Sequence, residues 1–164
     1  MAVETMELNP EALPDQDIWV YLTVRSTEGE ALDVAGKSAG EGAAVIQWPW
    51  TQNSSSQQWQ PQRVGPSYEY FKLVVRHSGK FLTVVDASTD DGAAVVQESW
   101  NGGDNQLWKY TPLTTGGLMV TAKHSGKALQ VVNGSDGNGA AIIQNAPDTG
   151  NPAQSWHSWY LRQE

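Results

Sequence analysis

KALQVVNGSDGNGAAIIQ, residues 127–144, decides the fold because the chain carries close copies of it at EALDVAGKSAGEGAAVIQ (30–47) and KFLTVVDASTDDGAAVVQ (80–97). Leu32, Leu82 and Leu129 fall 50 and then 47 positions apart, and Gly42, Gly92 and Gly139 keep the same intervals. Further along each copy comes a Gln-any-Trp triplet: QQW at 57–59, QLW at 106–108 and QSW at 154–156. Self-similarity at a fixed period marks a repeat architecture, in which each unit buries its apolar face against its neighbours. Copies near 18–65, 66–114 and 115–164 account for everything after an acidic lead, residues 1–17.

Within a copy the pattern is β throughout. YFKLVV, the turn HSGK and FLTVV read as a hairpin in copy two, with LMVTAK, HSGK and ALQVV matching it in copy three. Copy one has VYLTVR, STEGE and ALDVA at the same places. The Val/Ile-Gln run and the segment through Gln-any-Trp add a second pair of strands. Recurrent Gly and Pro leave no room for a long helix. About four strands per copy, three times over, predict an all-β fold of pseudo-threefold symmetry. A ring closed in this way leaves few sheet edges.

Composition narrows the function. The 164 residues include eight Trp, no Cys, and a formal charge of −8. Without Cys there is no disulfide, thiolate zinc site or thiol nucleophile. An acidic chain is a poor match for nucleic acid, whose binders need a basic face. No apolar run approaches the roughly 20 residues that span a bilayer, and the start lacks the basic and apolar regions of a secretory signal. The expectation is cytoplasmic synthesis, with release as the route to any external target. Five acids and no base lie in residues 1–17, which read as a tail. No phosphate loop, nucleophile elbow, zinc-helix motif or EF-hand pattern occurs, and no cofactor or metal is expected. His77 and His124 are repeat-equivalent turn residues, so a shared metal site is not expected either. No segment remains for a second, catalytic domain with paired carboxylates, and no enzyme activity is expected.

Three Gln-any-Trp motifs in register with Leu-any-Val and Gly-Ala-Ala-Val/Ile resemble the ricin B-type lectin family. The resemblance implies a β-trefoil: a six-stranded barrel capped by three hairpins, with one shallow carbohydrate site per repeat on the flanks. Trp59, Trp108 and Trp156, at equivalent positions, read as shared core. Gln57, Gln106 and Gln154 read as ties to a nearby turn. Alternation sends Leu32 and Val34 inward and Asp33 outward, and likewise Thr83 and Gln130. In the resembled family this outward position is a carboxylate that accepts from two sugar hydroxyls, and only Asp33 keeps it. The family's stacking ring follows the Val/Ile-Gln run. Alignment on the Gln places Trp48 there, against Glu98 and Asn145. Trp50 and Trp100, two residues later, are alternatives as the ring or as cover for the barrel flank.

A polar residue, usually Asn, precedes the motif Gln in the family; here it is Ser56, Asn105 or Ala153. The candidate carbohydrate site is therefore Asp33, Trp48, Trp50, Ser56 and Gln57 in copy one, with Asn105, Gln130 and Asn145 as lesser candidates. The implied function is a non-catalytic glycan-binding module, galactose-type sugars among its ligands, acting alone or as a homo-oligomer. The alternative is a trefoil that binds a protein partner, as an inhibitor or toxin-complex subunit.

Overall fold

The computed structural model describes residues 18–66 and 69–161. The tail reading of residues 1–17 falls outside the described residues. Twelve strands and short 3-10 turns make up the described chain. Copy one contributes β1 (Val20–Val24), β2 (Glu30–Val34), β3 (Val45–Pro49) and β4 (Trp59–Arg63). Copy two contributes β5 (Phe71–Val75), β6 (Phe81–Val84), β7 (Val95–Glu98) and β8 (Trp108–Pro112). Copy three contributes β9 (Leu118–Ala122), β10 (Ala128–Val131), β11 (Ile142–Asn145) and β12 (Trp156–Tyr160).

Antiparallel pairing runs β1–β4–β5–β8–β9–β12 and returns to β1, which closes a six-stranded barrel. The pairs β2–β3, β6–β7 and β10–β11 form three hairpins that cap one end. Single bridges Ala44↔Val96, Ala94↔Ile143 and Ile46↔Ala141 link each hairpin to the next. This is a β-trefoil.

One local expectation changes. The segments on either side of HSGK barely pair: β5 meets β6 at Val74↔Phe81 alone. The extended ladders are β4–β5 and β6–β7 instead, five and four rungs respectively. HSGK is a corner where the chain leaves the barrel for the cap. Its turn is tight, with Gly79 N–H donating to Val75 O and Val75 N–H to Lys80 O, both at 2.9 Å. Such a corner and a true hairpin turn carry the same Gly signal.

The core lies on the threefold axis. Val20, Leu22 and Val24 of β1 and Leu32 and Val34 of β2 point into it, as period-2 alternation requires. Trp59, Trp108 and Trp156 are 0% exposed. Each indole N–H donates at 3.0 Å to the backbone carbonyl of its own copy's Leu32, Leu82 or Leu129. The ring fills core volume and its one polar atom is satisfied, the condition for burying a Trp.

The copies are joined by the Gln that ends each long repeat. Gln97 Nε2 donates to Ser38 O and Gly40 O, Gln144 Nε2 to Ser88 O and Asp90 O, and Gln47 Nε2 to Ser135 O and Gly137 O, all at 2.7–2.9 Å. Gly42, Gly92 and Gly139 return the bond, each donating its N–H at 2.8 Å to the carbonyl of that Gln. Their φ values of 75° to 84° lie in the left-handed region, where a side chain is strained. The repeated Gln and Gly are thus the rivets of ring closure.

Candidate functional site

The flank sites are built on the motif glutamines. Gln57 Nε2 donates to Asp33 Oδ2 at 3.1 Å and to Pro49 O at 3.0 Å, while its Oε1 accepts Thr51 N–H at 2.9 Å. Gln106 does the same with Thr83 Oγ1, Ser99 O and Asn101 N–H. Gln154 does it with Gln130 Oε1, Ala146 O and Asp148 N–H. Each amide therefore clamps the outward residue of one strand to the loop that follows the next. The sequence reading anticipates the loop bonds. The bond to residue 33, 83 or 130 it misses, because a contact 23 or 24 positions apart leaves no local signal.

The clamp is common to all copies, but what it holds is not. Thr83 donates its hydroxyl to Phe81 O at 2.8 Å while accepting from Gln106, so both of its roles are filled. Gln130 Oε1 accepts twice, from Gln154 at 2.8 Å and from Asn145 Nδ2 at 3.2 Å. Asp33 is different. It is 7% exposed, and its Oδ1 is buried without a hydrogen-bond partner among the described residues. A carboxylate oxygen taken from water and left unbonded is costly.

Two rings stand near this carboxylate. Trp48 shares the outer face of the β2–β3 hairpin with Asp33, since Asp33 pairs with Ile46 and Ala31 with Trp48. It is 44% exposed, and its ring edge would stand 3.8 Å from a Cβ built on Gly139 of copy three. Trp50 lies half-buried in the loop, stacked on Tyr21 with centroids 4.5 Å apart and planes 23° apart. Tyr21 in turn stacks on Trp159 at 6.1 Å. The residues flanking Trp50, Pro49 and Thr51, are the two that Gln57 ties to Asp33. Ring and carboxylate are thus positioned by one amide. Neither Tyr21 nor Trp159 is found by the repeat reading, because Lys72 and Met119 replace Tyr21 in the sister copies.

The remaining candidates are placed as follows. Ser56 is buried and shares a hydrogen bond with Ser54 at 3.1 Å. Asn105 is also buried, its amide donating to Val84 O at 2.9 Å, which holds the end of β6. Both are engaged in hydrogen bonds within the fold. Trp100 is 38% exposed, edge-on to Phe81, with the Lys72 ammonium 4.6 Å from its ring centroid. Beside it, burial and the charges of Glu41 and Asp86 push the Glu98 carboxyl above the usual range. His77 and His124 donate from Nε2 to Ser38 O and Ser88 O, so both serve the joints between copies. No group of His, Asp and Glu among the described residues could hold a metal ion.

The family description that matches is "ricin-type beta-trefoil lectin domain-like", over residues 55–145, more than half of the chain. The chain belongs to this family of ricin-type β-trefoil lectin-like domains. Among solved structures it is similar to a designed threefold-symmetric protein, ThreeFoil. The two are 44% identical over 87% of this chain and 99% of that one, with a TM-score of 0.82. An exo-β-1,3-galactanase from Clostridium thermocellum is 35% identical, with a TM-score of 0.81. That match covers 92% of this chain but only 31% of the galactanase chain. An earthworm R-type lectin half, solved in complex with GalNAc, shares the fold at 13% identity. Its TM-score is 0.70, over 88% of this chain and 99% of that one. No curated protein matches. The ricin-type trefoil therefore rests on family, fold and repeat geometry together.

Proposed function

We propose that this ricin-type trefoil is a non-catalytic glycan-binding module with its principal site in copy one. The observation that carries the reading is the buried, unpartnered Oδ1 of Asp33, held beside aromatic rings by the Gln57 clamp. A carboxylate takes two hydroxyl donors with charge-assisted bonds, and Oδ1 has no competing donor. Trp50, whose flanking backbone shares that clamp, is the ring assigned to the apolar C–H face of the sugar. Trp48, on the same outer face as Asp33, is assigned to the rim. Galactose-type sugars are the first class to try, in keeping with a fold shared with a GalNAc-bound lectin.

A site with one ring and a few hydrogen bonds should bind a monosaccharide near millimolar strength, about −4 kcal/mol. Higher affinity then requires several sites or several copies on a dense glycan surface. The Thr83 hydroxyl and the Gln130 Oε1, already engaged within the chain, argue for one such site per chain rather than three. Cytoplasmic synthesis with later release fits an external glycan target and belongs to the same proposal.

The test is tryptophan fluorescence titrated with galactose, N-acetylgalactosamine and lactose, followed by a glycan array to name the sugar. The expected result is a saturable change that Trp50→Ala abolishes and Trp48→Ala only weakens. Absence of any response across the array would refute glycan binding and leave the protein-partner alternative standing.

A further inference from the structure

Internal symmetry exposes a second place where the chain leaves chemistry unfinished, remote in role from the Asp33 site. Each copy opens its barrel-to-cap corner with a cation: Arg25, Arg76 and Lys123. Their equivalence is set by the backbone, for each N–H donates at 2.9 Å to the middle residue of the preceding copy's Gln-any-Trp triplet. Those carbonyls belong to Ser155, Gln58 and Leu107 respectively.

At two of the three corners the preceding copy completes the cation's surroundings. The guanidinium of Arg76 lies 5.2 Å from the Trp19 ring centroid and donates to Gln58 Oε1 at 2.9 Å. The ammonium of Lys123 lies 5.3 Å from the Tyr70 ring and 3.6 Å from Asp104 Oδ1. Each cation thus has an aromatic face and an oxygen acceptor. Cation and ring attract through the ring quadrupole.

At the third corner, where copy three meets copy one, both side-chain partners are replaced and a backbone carbonyl is the acceptor that remains. Gly117 stands where the others have Trp19 and Tyr70, Pro152 where copy two has Asp104, and Ser155 where copy one has Gln58. Copy three cannot readily restore the ring. A Cβ on Gly117 would meet Ser155 Oγ at 2.5 Å and the Trp156 carbonyl at 3.0 Å, and the residue's φ is +81°. A half-open cavity of about 460 Å³ lies at this corner, lined by Arg25, Ser26, Glu28, Thr149, Pro152 and Ser155 among others. Arg25 is fixed at its edge by an Nη1 bond to Thr115 O at 2.6 Å. Ser26 Oγ is buried and has no partner among the described residues.

We propose that this cavity is a binding site for a small aromatic carboxylate bearing a hydroxyl at its far end. The ring takes the place over Arg25 that Trp19 and Tyr70 fill at the other corners. The carboxylate pairs with the guanidinium N–H groups that Thr115 O does not take. The hydroxyl answers Glu28, another lining residue, whose carboxylate accepts. The same Glu28 carboxylate repels a second negative charge, which selects a monoanion over a dicarboxylate.

The experiment is an amide NMR titration of the full chain with 4-hydroxyphenylacetate. Expected shifts cluster at residues 25–28, 115–117 and 149–155. Two analogues separate the parts: cyclohexylacetate keeps the charge without the ring, and 4-hydroxyphenylethanol keeps the ring without the charge. Each should bind about tenfold more weakly, as should the Arg25→Gln variant. Thr149→Trp, which fills the cavity and leaves the cation in place, gives an independent block if Arg25→Gln does not fold. Shifts elsewhere, no shifts, equal binding of cyclohexylacetate, or undiminished binding by either folded variant would each overturn the proposal. No sugar enters the experiment, so its outcome is separate from that of the glycan reading.

Discussion

Copies one and three hold residues 33 and 130 with the same glutamine, in the same geometry, and to opposite effect. In copy three the clamp closes on itself: Gln154 and Asn145 both donate to Gln130, and the acceptor is used up. In copy one Gln57 takes one oxygen of Asp33 and leaves the other buried and unbonded. The scaffold is therefore indifferent to what it carries at this position, provided that one oxygen faces the clamp. Any second oxygen is surplus to folding, and surplus buried polarity is where a binding function is to be sought. The corners of the ring differ in the same way, since Arg76 and Lys123 each face a ring and Arg25 has Gly117 in that place.

The largest effect should come from breaking what the copies share. Trp108→Ala removes a fully buried ring and its bond to Leu82 O, and should cost about 3–5 kcal/mol of stability in chemical denaturation. Gln106→Ala strips the clamp from copy two, leaving Asn101 N–H and Ser99 O without their partner. The expected loss is about 1–3 kcal/mol, with sugar binding at copy one retained. A loss of binding there would mean that the copies are not independent sites.

Asp33→Ala sharpens the comparison from the other side. It removes one bond to Gln57, whose amide still has Pro49 O, and it also removes an unbonded buried oxygen. These terms oppose each other, so stability should move by no more than about 1 kcal/mol. A loss like that of Trp108→Ala would place Asp33 among the packing residues.

The smallest effect concerns Glu30, which occupies in copy one the place of Lys80 and Lys127. Those lysines pair with Glu41 and Asp91 of the preceding copy, at 3.8 and 2.8 Å. Glu30 has instead a buried, unpartnered Oε2, and burial raises its carboxyl above the ordinary value of 4.5. Because the folded state binds this proton more tightly, the stability it contributes is full below pH 4.5 and is lost as pH rises through the raised value. Glu30→Gln cannot ionise. It should be slightly more stable than the parent at pH 7 and lose that advantage at pH 4, as followed by thermal melts at both. An advantage that is independent of pH would contradict the assignment.

What could be read from the residues and what could not divide along a physical line. The threefold trefoil, the buried Trp59, Trp108 and Trp156, and the inward Leu and Val residues are legible because threefold repetition writes each packing constraint three times. The outward direction of Asp33 is legible from alternation, but its near-complete burial is not, since that depends on residues distant in sequence, Gln57 among them. The HSGK corner reads as a hairpin because turn chemistry does not say whether the flanking strands stay together. Tyr21 and the Gly117 cavity escape for the opposite reason. Each occurs once, and repetition marks only what recurs.

The central claim is that one oxygen of one carboxylate makes copy one the sugar site. The most direct measurement is a galactose titration of the amide NMR spectrum, comparing the parent with Asp33→Asn, Thr83→Ala and Gln130→Ala. Shifts are expected around residues 31–34, 48–51 and 57 in the parent, in Thr83→Ala and in Gln130→Ala. Their loss is expected in Asp33→Asn, where forfeiting a charged hydrogen bond costs about 1.5–3 kcal/mol, enough to erase millimolar binding. Shifts centred on 81–106 or 128–154, or undiminished binding by Asp33→Asn, would contradict it.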